Sequence, residues 1–218
     1  MDIKLIKELR APVCNVSVEK GTTIEELSKR YEDSLPYTVL AAKINNKIES
    51  LEYVIDSECC IEFLDMRTQA ASLIYQNSLI LLYLKAVEDV LGKSDVDIEN
   101  AINKGLYTEI KTSKQITSKD VKSIEHRMRE LVDSDLPFVK ENLTKKEAIG
   151  RFMDMGCPEK TALLNENPEM RKIPFYSLGG YKDFFYGQMV PSTRYIKHFE
   201  LRKYRRGVLL RFPQPVSY

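Results

Sequence analysis

Leu79-Ile-Leu-Leu-Tyr-Leu84 presents an apolar surface in every direction of a helix, so whatever this chain folds into must surround that segment with core. Apolar residues recur through a longer stretch, from about Met66 to Leu91, at Leu73, Ile74, Leu81, Leu84 and Val87, and Gly92 is placed to stop a helix. A bilayer span needs about 20 such residues. Here the run is six long and is preceded by Gln76, Asn77 and Ser78, which predicts a long buried helix rather than a membrane segment. With 218 residues, 43% apolar and 30% charged, there is enough chain for one large or two small domains around it, and two are expected.

Upstream, alternation over Ile3 to Lys7 and over Val13 to Val18 predicts two half-buried strands joined by a turn at Arg10-Ala-Pro12. Thr23 and Glu26 form a capping box for a short helix to about Tyr31 that buries Ile24 and Leu27. Extended runs follow at Val39 to Ile44 and Tyr53 to Ile55, with Asn45-Asn46 tolerating left-handed backbone between them. Cys59 to Leu64 reads as a closing strand. This order suits a small β-grasp sheet on one helix.

Downstream of the long helix, Gly105 to Ile110 reads as a strand, and Thr117 opens a helix to about Val132 with Ile124, Met128 and Leu131 on one face. Leu136-Pro-Phe138 leads into another strand, and Thr144 with Glu147 caps a helix ended by Gly156 and Pro158.

Chemistry-bearing residues are sparse. The cysteines at 14, 59, 60 and 157 form no CxxC pair, and His126 and His198 stand apart from other ligand-type residues, so reduced thiols and surface or packing histidines are expected rather than a metal site. Gly92-Lys93-Ser94 resembles the end of a phosphate loop, but the glycine needed five positions earlier is Val87, inside a helix. A formal net charge of +1 leaves any polyanion site to a local patch. The one basic run holds Arg194, Lys197, Arg202, Lys203, Arg205, Arg206 and Arg211, interleaved with Tyr195, Phe199 and Tyr204, against Glu200. Such a run can grip phosphates and stack on bases, or it can be the solvent face of a strand. The first residues, Met-Asp-Ile-Lys-Leu-Ile-Lys, lack the apolar run of a secretory signal, and a cytoplasmic location is expected.

The segment Asp183-Phe-Phe-Tyr-Gly-Gln-Met-Val-Pro-Ser-Thr193 resembles the editing segment of the second additional domain of threonyl-tRNA synthetases, which reads roughly Asp-Leu-Cys-Arg-Gly-Pro-His-Val-Pro-Ser-Thr. Asp183, Gly187 and Val190-Pro191-Ser192-Thr193 fit that frame, while Phe185 stands at the Cys position and Met189 at the His position. Aligned on Ser78 and Lys85-Ala86-Val87, the family's two helical histidines fall on Asn77 and Leu81. The order of an Ile-Thr-x-x-Asp helix, a Leu-Pro strand, a Thr-x-x-Glu-Ala helix and a Lys-x-x-Leu-Leu segment at Lys160 to Leu164 is similar too. Gly21-Thr-Thr-Ile-Glu-Glu-Leu and Val39-Leu-Ala-Ala-Lys-Ile-Asn-Asn-Lys-Ile resemble a TGS domain, so the resemblance covers about residues 10 to 204. Gly207-Val-Leu-Leu-Arg-Phe-Pro-Gln-Pro looks like the lead-in of bacterial uridine-kinase-type proteins that carry both modules before a P-loop kinase domain.

The resemblance implies an α+β fold: a β-grasp TGS domain over 1–65, a degenerate editing-like domain over 66–206 with a long buried helix against an antiparallel sheet, and a lead-out over 207–218 toward a further domain. Metal-assisted or acid-base hydrolysis needs groups that bind an ion or exchange protons, which Leu81, Phe185 and Met189 do not supply. The implied function is a non-catalytic region, without cofactor, that binds tRNA or other RNA, a nucleotide, or a kinase domain of its own chain. Candidate binding residues are Asp183, Tyr186, Ser192, Thr193, Arg194, Lys197, Arg202, Lys203, Arg205 and Arg206. Two alternatives stay open: a deacylase using Asp183, Tyr186, Ser192 or a positioned water, and a structural or homodimerising module whose emptied site exposes Phe184, Phe185 and Met189.

Overall fold

A computed structural model describes residues 1–102, 105–156, 161, 164 and 172–213, and places them in a mixed α+β arrangement of three sheets around one long helix. The expected Lys160–Leu164 segment lies largely outside the described residues, as do Cys157 and Pro158.

The first sheet contains β1 (Asp2–Ile6), β2 (Cys14–Ser17), β3 (Ala41–Ile44), β4 (Lys47–Glu49) and β5 (Cys60–Leu64) in the order β2-β1-β5-β3-β4. The central pair β1 and β5 is parallel and the other pairs are antiparallel. Alternation in β1 sends Ile3 and Leu5 inward, where they meet Ile24 and Leu27 of α1 (Ile24–Lys29). The Thr23 hydroxyl accepts from the Glu26 amide at 3.1 Å, and the Thr23 amide donates to the Glu26 carboxylate at 2.8 Å, which closes the expected capping box.

Two local expectations need correction. The helix ends at Lys29, and a 3₁₀ turn over Glu32–Ser34 replaces its continuation to Tyr31. Tyr53 to Ile55 is not a strand beyond a single bridge from Val54 to Thr23; the outer partner of β3 is β4. Asn45 and Asn46, at φ 46° and 71°, reverse the chain at once, so the residues immediately after them pair with β3.

The long helix, α2 (Gln69–Leu91), starts later than Met66 because Asp65 and Arg67 form a turn of their own, after which the Thr68 hydroxyl accepts from the Ala71 amide. It stops at Gly92, whose φ of 81° suits a residue without Cβ. Leu79, Leu81, Leu82 and Tyr83 are fully buried, whereas Leu73 points to solvent at 55% exposure and is not part of the core face. By length and composition alone α2 could cross a bilayer, yet 72% of its most apolar window is buried inside the protein.

Around α2 lie α3 (Ser118–Asp133) and a four-stranded antiparallel sheet of β6 (Asp95–Ile102), β7 (Gly105–Lys111), β11 (Glu200–Tyr204) and β12 (Gly207–Arg211), ordered β11-β12-β7-β6. The Tyr83 hydroxyl meets the Thr108 hydroxyl at 2.8 Å and ties helix to sheet. A second antiparallel sheet, β8 (Val139–Leu143), β9 (Ile173–Leu178) and β10 (Tyr181–Phe184), packs Phe175 against Phe152 of α4 (Lys145–Met155).

The tail expectation fails here. Gly207 to Arg211 does not lead away: β12 is an interior strand, hydrogen-bonded to β11 on one side and β7 on the other, with Val208 and Leu210 fully buried. The unit expected to end at 206 therefore includes 207–211. Packing also crosses the boundary at 65, since Leu40, Ala41 and Leu64 belong to the same core as α2.

Candidate functional site

The residues between β10 and β11 form a strap across α2. Its path follows from a set of polar anchors. The Ser78 hydroxyl donates to the Ile74 carbonyl at 2.8 Å and accepts from the Val190 amide at 3.0 Å. The buried Thr193 hydroxyl donates to the Leu131 carbonyl at 2.6 Å and accepts from the Leu136 amide at 2.9 Å, and the Phe138 amide reaches the Pro191 carbonyl at 3.0 Å. The Ser192 hydroxyl hydrogen-bonds Asp135. In this chain Val190-Pro191-Ser192-Thr193 thus acts as a fastening, satisfying backbone groups that would otherwise be buried without partners.

The four positions where the resemblance predicts chemistry converge on α2 and the strap. Leu81 is fully buried, Met189 is 4% exposed, and Phe185 packs against the same core. Asn77, half-buried, donates from Nδ2 to the Tyr186 carbonyl at 3.1 Å and so holds the strap. The Tyr176 hydroxyl donates to the Gly187 carbonyl at 3.1 Å, and burial pushes its pKa up to about 12, keeping it a neutral donor. None of the four side chains lines the clefts described below except Phe185. Leu81 and Phe185 have no polar atom, and a thioether does not exchange protons near neutrality.

The apolar surface expected of an emptied site is only partly exposed. Met189 is inside, Phe184 is half-buried against Phe152 and Phe175, and Tyr186, 61% exposed, is the large side chain left outside, edge-on to Phe184 at 4.6 Å. The groups proposed for an alternative hydrolysis have separate surroundings: Asp183 accepts from the Phe184 amide at 2.7 Å beside the β10 cleft, while Ser192 is held on Asp135. Among the described residues no three His, Cys, Asp or Glu side chains come together as a metal would require. His126 is an exposed helical residue 3.2 Å from Glu130, and the backbone of His198 is bonded to the Tyr75 hydroxyl.

The basic run does not form one patch. Arg202, Lys203, Arg205 and Arg206 lie on the β11–β12 hairpin, where Arg202 pairs with Glu200 at 2.7 Å, Lys203 bonds the Arg205 carbonyl, and Arg205 turns the chain at φ 50° with its guanidinium by the Tyr204 ring. Arg194 and Lys197 instead border a hollow of about 490 Å³ between the first sheet's helix and the strap, together with Lys29 and Tyr37. Arg194 reaches Glu25 of α1 at 3.3 Å, and the Tyr195 hydroxyl donates to the same carboxylate at 2.7 Å. Sequence spacing gave no sign that Lys29 and Tyr37 join Arg194 and Lys197.

A larger cleft, about 1000 Å³, lies between the two antiparallel sheets and is bordered by Lys93, Ser94, Asp97, Lys111, Arg151, Asp183 and Phe185 among others. Lys93 and Ser94 therefore do face a cleft, although they follow a helix end and Ser94 is bonded to the Gly92 carbonyl at 3.1 Å rather than opening a phosphate loop.

No family model matches the chain. Curated relatives do. It is 29% identical over 182 residues to threonine–tRNA ligase 1 of Bacillus subtilis (strain 168), covering 84% of this chain and 28% of that protein. With the threonine–tRNA ligase of Caldanaerobacter subterraneus subsp. tengcongensis it shares 30% identity over 183 residues, again 84% of this chain and 28% of the ligase. The ligase of Desulforamulus reducens is 29% identical over 181 residues, 83% of this chain. The chain is homologous to part of the threonyl-tRNA synthetases, and the match spans little more than a quarter of their length.

Proposed function

We propose that this chain is a non-catalytic RNA-binding module, related to the editing region of threonyl-tRNA synthetases, that retains the scaffold and a tRNA partner without the hydrolytic chemistry. The observation that carries the proposal is the filling of the former site: Leu81, Phe185 and Met189 are packed into the α2 core and Asn77 serves as a strap anchor. A site with no group to bind an ion or move a proton has lost what general acid-base or metal-assisted hydrolysis requires.

Within this reading residues 1–65 are a TGS domain, supported by the parallel β1–β5 pair at the centre of a five-stranded sheet carrying one helix. A nucleoside-kinase domain after this region is a further proposal resting on the residue resemblance of the tail, and any onward connection starts after Arg211, where β12 ends.

The test is paired. Purified protein is titrated with uncharged tRNA at two salt concentrations and incubated with mischarged Ser-tRNA beside a denatured control. Salt-sensitive tRNA binding without faster deacylation is expected. Deacylation above the control would overturn the non-catalytic part, and absence of tRNA binding would overturn the RNA-binding part.

A further inference from the structure

We propose that the hollow between α1 and the strap is a nucleotide-binding site, with Tyr37 as the stacking surface for the base and Lys197, Arg194 and Lys29 as the phosphate-binding cations. The proposal deepens the RNA-binding reading by placing a nucleotide in a specific hollow, but its own test does not depend on tRNA.

Three cations from two separate parts of the fold border one hollow of about 490 Å³, against one lining carboxylate, Glu32. They differ in their commitments. Lys29 and Arg194 share Glu25, at 3.0 and 3.3 Å, and Arg194 also faces Asp135 at 3.7 Å, so both cations are paired in the unliganded protein. Lys197 is exposed and makes no ion pair among the described residues, which leaves a full positive charge at the rim. Phosphate oxygens would give Lys197 an anionic partner and compete with Glu25 and Asp135 for the other two.

The aromatic wall is suited to a base. Tyr37 is 50% exposed, and the Arg67 guanidinium sits 4.5 Å from its ring centroid. Arg67 is fixed by Asp65 at 2.7 Å and Glu8 at 3.4 Å, so it braces one side of the ring and leaves the exposed part available. Stacking on such a ring is sequence-tolerant, because every base has a π-face. Tyr195 is not a second platform: its hydroxyl is held by Glu25 and its ring packs into both cores. The neighbouring hollow at Arg129 and Phe199 also touches Arg194 and Lys197, but it contains Asp133 and Asp135, and Arg129 is engaged with Glu125 and the Phe199 carbonyl. The phosphate-binding character belongs to the Tyr37 side.

The same chemistry could come from a free nucleotide or from one nucleotide of a single-stranded RNA. The whole chain is titrated with ATP, with AMP and with a single-stranded RNA octamer, using the intact protein, Tyr37→Ala, Lys197→Ala and a hairpin control, Arg205→Ala with Arg206→Ala. Thermal melts verify that each variant is folded, which is expected because Tyr37 and Lys197 are on the surface. Binding of ATP or AMP weakened about tenfold or more by Tyr37→Ala and by Lys197→Ala, but not by the hairpin change, supports a free nucleotide. The same pattern with the octamer alone supports an RNA source. Failure to bind all three probes, or binding indifferent to Tyr37 and Lys197, overturns the proposal. If tRNA still binds through the hairpin arginines in that event, the RNA-binding function stands and only this site falls.

Discussion

The Ser78 hydroxyl and the Val190 amide meet at 3.0 Å although 112 residues of chain separate them. The same hydroxyl donates to the Ile74 carbonyl, so one oxygen fixes the strap to the long helix from within the core. Replacing Ser78 with Ala leaves the Val190 amide buried without a partner. Such a loss costs about 1–3 kcal/mol. Urea unfolding of Ser78→Ala should show a lowered midpoint with unchanged slope; an unchanged midpoint would mean the strap is held elsewhere.

Restoring the missing side chains should not restore hydrolysis. Leu81 has no exposure, so Leu81→His places an imidazole in a closed apolar space, at a cost of about 1–3 kcal/mol for a buried polar group without partners. A chain carrying Asn77→His, Leu81→His, Phe185→Cys and Met189→His together is expected to melt at lower temperature and to leave Ser-tRNA intact. Turnover by that variant would show that substrate can still reach the positions packed beneath the strap.

The contact between α1 and the strap is expected to weaken in acid. Burial raises the Glu25 pKa, but the Tyr195 hydrogen bond, with Lys29 and Arg194, outweighs it and leaves the folded-state value below the ordinary glutamate value. A carboxylate depressed on folding stabilises the protein fully above its unfolded value of about 4.3, and that contribution disappears as pH falls through the folded value. The stability gap between the wild type and Glu25→Gln should therefore be constant near neutrality and close below about pH 4. A gap independent of pH would point to packing rather than charge.

Gly207 has no room for a side chain. A Cβ there would overlap the Thr108 carbonyl oxygen and lie 2.8 Å from the Tyr107 ring. The oxygen belongs to backbone in the neighbouring strand, so it cannot swing aside. Gly207→Ala should cost about 1–3 kcal/mol or more, as overpacking does, and calorimetry would register it as a lower Tm. Gly150→Ala, with open space around the new methyl, is the control.

The parts of this fold visible in the residue order are those written locally. Thr23 with Glu26, Thr117 with Asp120 and Thr144 with Glu147 each announce a helix start within four residues, and each closes a capping box in the structure. Asn45-Asn46 announces a turn but not its tightness, so the pattern hides β4 and makes Tyr53–Ile55 look extended. β6 is written locally too: Asp95, Asp97 and Glu99 alternate with Val96 and Ile98, the period of a strand, and only its place beside β7 is set by tertiary pairing. The candidate site divided for the same reason. Seven basic residues form one run in sequence, but the β11–β12 hairpin carries the later ones away from Arg194 and Lys197, whose companions Lys29 and Tyr37 come from over 150 residues earlier in the chain, a join made by tertiary packing alone.

The interior position of β12 bears on how the protein is made. Until Gly207–Arg211 has left the ribosome, β11 has no paired strand and β7 keeps one open edge beside β6, and the side chains that Val208 and Leu210 cover remain open to water and to other nascent chains. The first sheet, whose strands all lie before residue 65, can form early in synthesis, whereas the sheet around α2 can close only after Arg211 has emerged. A ribosome stalled shortly before this strand would hold a protein with its entry half built and its central helix uncovered, a natural target for chaperones and proteases.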